Sequence, residues 1–228
     1  MFKPYTITER WPATNPDIIQ LYSVDTPNGL KVSAMLEECG LAYEKHLVSF
    51  SDDEQHSAEF QSLNPNGKIP AIIDPHGMDG NPLGLWESGA ILIYLAEKTG
   101  RFIPSDHHAR YRTIQWLMFQ MGGIGPMFGQ FGHFHSYGGA NIEDPYALER
   151  YKGETQRLLT VLNERLQNRT WIMGNDYTIA DIASWPWVRA LTVHYEARET
   201  LELSNYPNVT RWLNLCLERS ASVAVLND

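Results

Sequence analysis

Hydrophobic and polar positions along the chain fall into two successive regimes. In the first, an apolar run at residues 18–23 meets the punctuation Thr26-Pro27-Asn28-Gly29, and Val32, Met35 and Leu36 then recur at helical spacing while Glu37 and Glu38 face away. This predicts strand, tight turn and helix. Thr26 is placed as the N-cap, Pro27 at the first helical position and Gly40 as the stop. Residues 43–50 have strand character, 51–55 form a polar loop, and 58–63 are a short helical patch. The turn cluster Asn64-Pro65-Asn66-Gly67-Lys68 precedes a strand at 69–74, and a fourth strand at 82–86 leads to Glu87-Ser88, which opens an apolar helix ending at Gly100. Strand, helix, strand, short helix, strand, strand, helix is a mixed α/β layer.

Beyond Gly100 the signals are helical only. Ile114, Leu117, Met118 and Met121 form one stripe; Tyr151, Leu158, Leu159, Leu162 and Leu166 a second; Val209, Trp212, Leu213 and Cys216 a third. Thr178 and Asp181 have the spacing of a capping box ahead of an apolar run. Trp116, Trp185 and Trp187 are assigned to the helical core, and Gly122 to Pro126 are expected to break a helix. The fold class is therefore α/β plus all-α. Residues 1–17 form an arm, 18–100 the α/β domain with a four-stranded mixed sheet, 101–106 a linker and 107–228 a helical bundle.

Composition narrows the function classes. With 228 residues, a net charge of −9 and only 18 Lys and Arg, the chain lacks the clustered cations that phosphate neutralisation requires, so a nucleic-acid partner is not expected. No apolar run approaches the roughly 20 residues that cross a bilayer, and residues 1–17 have no apolar segment of a secretory signal. Two cysteines, Cys39 and Cys216, sit far apart in helical patterns and are assigned to packing. A reducing, cytoplasmic setting fits. His107-His108 and His133-Phe134-His135 lack further ligands at useful spacing, so no metal is expected.

The positions able to hold a ligand are helix starts. Thr26 to Gly29 and Glu87-Ser88 present backbone amides and the positive end of a helix, which favours a thiolate or carboxylate. Ile69-Pro70 would offer backbone groups if its peptide bond were cis. Taken singly, Thr26 is a helix cap, Glu87-Ser88 a surface acid and a cap, and Arg150, beside Glu149, a solvated charge.

Taken together, the strand before Thr26-Pro27-Asn28-Gly29, the segment Asn64 to Pro70 (NPNGKIP), Glu87-Ser88-Gly89 and the Thr178–Asp181 box resemble the glutathione transferase superfamily. The TPNG loop, Arg150-Tyr151 and Trp185-Pro186-Trp187 resemble its bacterial nu class, a group similar to the glutathione transferase-like domain of the yeast nitrogen-regulating prion protein. The likeness covers nearly everything after Asp17. It implies a thioredoxin-like first domain, a homodimer, and a site for two glutathiones or glutathione disulfide. It further implies that Glu87 and Ser88 hold the γ-glutamyl group, that the Ile69 backbone ahead of a cis Pro70 pairs with the cysteinyl main chain, and that Gln55 and Lys68 lie along the tripeptide. Arg150 would reach a second glutathione carboxylate from the helical domain.

Lowering a thiol pKa from about 8.5 to about 6.5 takes about 2.7 kcal/mol of preferential thiolate stabilisation, within reach of one or two hydrogen bonds and a helix terminus. Thr26 and Asn28 are the uncharged donors at that place, and no cysteine stands among residues 26–29. Glutathione would then provide both sulfurs of a disulfide-bond reduction. Conjugation to electrophiles uses the same site, and a glutathione-binding regulator with little turnover is the reading from another class. The arm is expected to lie over the domain seam or a partner subunit.

Overall fold

The computed structural model describes residues 5–227. The chain divides into two compact units, the first running to Thr99 and the second from Gly100 to Asn227.

In the first unit, strands β1 (Ile19–Ser23), β2 (Tyr43–Leu47), β3 (Ala71–Asp74) and β4 (Leu83–Trp86) form one sheet in the order β2-β1-β3-β4. β1 and β2 are parallel, joined through helix α2 (Pro27–Cys39), whereas β3 runs antiparallel to both β1 and β4. β1 is buried along its whole length, so both faces of the sheet are covered. On one side α2 packs against α4 (Ser88–Thr99), bringing Leu30, Met35, Leu36, Ile91, Leu92 and Leu95 out of water. On the other, Tyr22, Phe60, Leu63 and Ala71 close a core with Ile7 from the short helix α1 (Ile7–Arg10) and with α3 (Ala58–Leu63).

The described part of the arm is built into this unit. Ile7 is fully buried, and its amide donates to Ser62 Oγ at 3.2 Å. The Trp11 ring meets Tyr22 and Phe60 edge-on, its Nε1 donating to the Leu47 carbonyl at 3.0 Å, and Glu44 accepts from the Thr14 and Asn15 amides. Gly84 makes this seat possible, because a Cβ there would stand 2.5 Å from the Tyr5 ring. Residues 1–4 of the expected arm lie outside the described residues.

The second unit is helical: α5 (His107–Phe119), α6 (Gly125–Ser136), α7 (Tyr146–Arg165), α8 (Ile179–Val193), α9 (Pro207–Leu217) and α10 (Ser220–Asn227). Residues 101–106, expected as a linker, belong to it, and the Phe102 carbonyl accepts from Ile179 N at 2.9 Å. The predicted break at Gly122 to Pro126 is instead a π turn, Gln120–Ile124, through which α5 runs on into α6. A proline lacks the amide and crowds the carbonyl one turn back, and a widened turn just before Pro126 gives the ring room without ending the helix. Trp185 is fully buried, as assigned, but Trp116 and Trp187 are only half-buried. The Arg165 guanidinium lies 5.3 Å from the centre of the Trp116 ring, which keeps that ring at the surface.

Asp181 ties this unit together. Wholly buried, it accepts from Ile172 N at 2.8 Å and Trp212 Nε1 at 2.9 Å through Oδ1, and from Thr178 N at 3.0 Å and Thr178 Oγ1 at 3.3 Å through Oδ2. The Thr178–Asp181 capping box is present, and its carboxylate also fixes the preceding loop and α9. Burial raises its pKa to about 6 against the pull of these donors.

Candidate functional site

Strand register gathers most of the predicted residues at one end of the first unit's sheet. Tyr22 pairs with Ala71, and Ala71 with Trp86, so the exit of β1, the entry of β3 and the exit of β4 lie side by side. Three segments therefore converge there: Val24 to Asn28 after β1, Ile69-Pro70 before β3, and Glu87-Ser88 after β4. The Ile69-Pro70 peptide bond is cis.

Thr26 caps α2: its Oγ1 accepts from Gly29 N at 3.3 Å while its backbone is extended, with Pro27 following at the first helical position. With Oγ1 accepting from the helix, the hydroxyl hydrogen is directed away from it. The first turn of α2 carries no acidic residue, and Asp25, just ahead of the cap, is paired with Lys45 Nζ at 3.0 Å. Gly29 is obligatory for the approach of α2 to β1, because a Cβ would fall 2.0 Å from the Val24 carbonyl oxygen. Asn28 stands half-buried between Pro27 and Gly29.

At the second helix start, Glu87 has φ +70° and its carbonyl accepts from Ile91 N at 2.9 Å. Glu87 is thus the cap residue, in a left-handed conformation, and Ser88 is the first residue inside α4. A backbone outlier of this kind at a site end marks a conformation the surroundings enforce. Ser88 is buried while Glu87 is exposed, and Lys31 of α2 donates from Nζ to Ser88 Oγ at 3.2 Å.

Gln55 and Lys68 are brought near one another by Gly67. This residue, at φ +63°, lies against the 3-10 turn Glu54–His56, where a Cβ would meet the His56 ring at 2.8 Å and the Gln55 carbonyl at 3.3 Å. The polar loop expected at 51–55 therefore ends in an ordered turn. Gln55 donates through Nε2 to Asp53 Oδ1 at 2.9 Å, and Lys68 is exposed. Buried Asn64 accepts from Asn66 N at 2.9 Å and donates to the Lys68 carbonyl, fixing the turn that delivers Ile69. Arg150 is exposed on α7 in the second unit.

Two participants escaped the reading of the sequence. Asn64 reads in the sequence as one of several turn residues, yet its side chain holds the segment together with its backbone carbonyl, which accepts from Gly67 N at 3.0 Å. Lys31 was passed over because its neighbours Gly29 to Leu36 are all buried, leaving no polar stripe from which a buried lysine would stand out. Among the described residues no group of three or more His, Cys, Asp or Glu is placed to hold a metal ion, and no helix is long and apolar enough to cross a membrane.

A sheet ordered 2-1-3-4, a cis-proline entering its third strand, a polar helix start on either side of that proline and a helical unit downstream define the glutathione transferase class. The chain belongs to that family: residues 18–97 match the model of the glutathione S-transferase N-terminal domain, and residues 124–220 that of the C-terminal domain. Among its relatives is the disulfide-bond oxidoreductase YfcG of Escherichia coli (strain K12), 48% identical over 206 residues that span 90% of this chain and 93% of that protein. A glutathione transferase family member from Pseudomonas fluorescens Pf-5, solved with two glutathiones bound, superposes with a TM-score of 0.96 at 55% identity, covering 98% of this chain and 99% of that one. A Pseudomonas putida glutathione transferase with one glutathione disulfide bound per subunit gives the same TM-score and identity over 97% of this chain and 96% of its own.

Proposed function

We propose that this protein is a glutathione-dependent disulfide-bond reductase that binds two glutathiones or glutathione disulfide, with Thr26 and Asn28 stabilising the reactive thiolate. The observation that carries the reading is the start of α2. It is an electropositive helix end with hydroxyl and amide side chains, no cysteine and no acid in its first turn, beside a cis-proline and the Glu87-Ser88 turn. Such a place favours a sulfur anion and cannot supply one.

The chemistry then balances as two exchanges. A glutathione thiolate attacks one sulfur of a substrate disulfide, releasing one substrate thiolate and forming a mixed disulfide. A second glutathione thiolate attacks the glutathione sulfur of that mixed disulfide and expels the other substrate thiolate. Two glutathiones become one glutathione disulfide, and the released thiolates take up the two protons. The protein orients the partners and lowers the thiol pKa. Glu87 and Ser88 are assigned to the γ-glutamyl group, the Ile69 backbone ahead of Pro70 to the cysteinyl main chain, and Gln55 and Lys68 to the rest of the tripeptide. The role of Arg150 toward a second glutathione rests on the resemblance alone. A cytoplasmic setting, where thiols are kept reduced, and a homodimer complete the proposal.

Turnover of bis(2-hydroxyethyl) disulfide with glutathione tests it. A rate well above the uncatalysed exchange, lost in the Asn28→Ala, Thr26→Ala double variant, is the expected result. Calorimetric binding of glutathione disulfide without turnover would replace the reading with that of a binding protein. Light scattering of the purified chain reports the dimer.

A further inference from the structure

A lysine in the middle of a helix buried on all sides is costly, and a leucine or methionine would pack the same volume without desolvating a charge. Lys31 is nonetheless 1% exposed, and its Nζ reaches Ser88 Oγ, itself 3% exposed, across the α2–α4 contact. Once protonated, the Lys31 amine can only donate, so in that state Ser88 Oγ is the acceptor and sends its own hydrogen elsewhere. Ser88 is the first residue of α4, at the end of the sheet where the cis-proline and the α2 start converge.

Resting on the glutathione site proposed above, we infer that Lys31 is a positioning residue for the γ-glutamyl carboxylate: it holds Ser88 so that the hydroxyl donates outward, and it places a buried positive charge behind that bond. A hydroxyl that accepts from a cation is a stronger donor on its far side, and the carboxylate gains a counter-charge without losing access to the α4 amides. Burial lowers the Lys31 pKa to about 7, with the neighbouring Glu87 carboxylate opposing that shift. An amine so poised gains its proton readily when an anion docks beside it.

The test compares two probes by calorimetry. One is S-methylglutathione, which cannot exchange disulfides; the other is the same peptide with 4-aminobutyrate in place of γ-glutamate, which lacks only the α-carboxylate. Lys31→Met is expected to weaken S-methylglutathione ~10- to 100-fold and to leave the carboxylate-free analogue at its wild-type affinity. Equal weakening of both probes, or of neither, overturns the inference, because a merely structural lysine would not distinguish them. Should Lys31→Met fail to fold, carbon NMR of the Lys31 ε-methylene in the wild-type chain decides the matter. The S-methyl probe must shift it toward the protonated form and the carboxylate-free probe must not; any other pattern overturns the inference. If Ser88→Ala weakens S-methylglutathione while Lys31→Met does not, the role of Lys31 falls and the site stands. If the wild-type chain binds neither probe, the site reading falls and takes the inference with it.

Discussion

Two helices of this protein start with the same cap residue and do opposite things with it. In α8, Thr178 is followed three residues later by Asp181, and the carboxylate closes back on the cap and lies buried inside the unit. In α2, Thr26 is followed three residues later by Gly29, and no acid occupies the first turn. One helix end carries its own anion, and the other is left for an anion from outside. The difference is enforced by packing: where Asp181 has room, a side chain at Gly29 would run into the Val24 carbonyl at 2.0 Å. A capping threonine thus says little about function until the third helical position is read with it.

Asp181→Ala should be the most damaging change. It leaves the Ile172 amide, the Trp212 indole and the Thr178 amide buried without an acceptor, and each orphaned donor costs roughly 1–3 kcal/mol. A loss of at least ~3 kcal/mol in chemical denaturation of the second unit is expected. The same carboxylate gives a pH signature. Its folded pKa, raised to about 6, exceeds the unfolded value of 3.8. The folded state therefore holds more protons between these values, and this contribution is fully present below pH 3.8 and lost as pH rises through 6. Stability of the wild type relative to Asp181→Asn should fall from pH 4 to pH 6.5 and then level off. A flat difference would show that the donors already hold the group ionised throughout.

Gly29→Ala asks whether the open helix end tolerates any side chain. The added carbon must displace β1 or α2, at about 1–3 kcal/mol, and in moving α2 it also moves Thr26 and Asn28. Thermal denaturation should show the loss, with a larger fall in disulfide turnover than in stability. Full activity in this variant would mean that the α2 start is not held where the proposed chemistry needs it.

Much of this was legible beforehand because it is written in local rules. Thr26, Pro27, Gly40 and Gly100 announce helix ends through capping, a fixed φ and a left-handed stop, and the two glycines have φ of +67° and +66°. The four strands and their succession along the chain follow from short apolar runs between turn clusters, whereas their order in the sheet does not. What escaped depends on partners far along the chain. Ile7 lies in a helix too short to show periodicity, and Tyr5 and Trp11 flank it, so only the folded sheet face reveals them as core. Lys31 looked unremarkable until Ser88, 57 residues away, stood at its tip. The π turn was hidden because glycine and proline signal interruption without saying whether the helix ends or widens.

The pair of cap variants isolates the comparison most cleanly, with the smallest change in fold. Thr26→Ala and Thr178→Ala each delete a side-chain acceptor at a helix start, and each should cost about 1 kcal/mol of stability. Their catalytic effects should part. Thr178 lies buried in the second unit with its hydroxyl engaged by Asp181, so glutathione affinity and disulfide turnover should stay within about twofold once folding is matched. Thr26 is assigned a donor role toward sulfur, and one lost hydrogen bond to a thiolate is worth about 1.5–3 kcal/mol, so turnover should fall ~10- to 100-fold. The pKa of bound glutathione, followed by thiolate absorbance, should rise by about one to two units at the same time. If both variants lose rate equally with no movement in that pKa, the two caps are equivalent and the α2 threonine is only a helix cap.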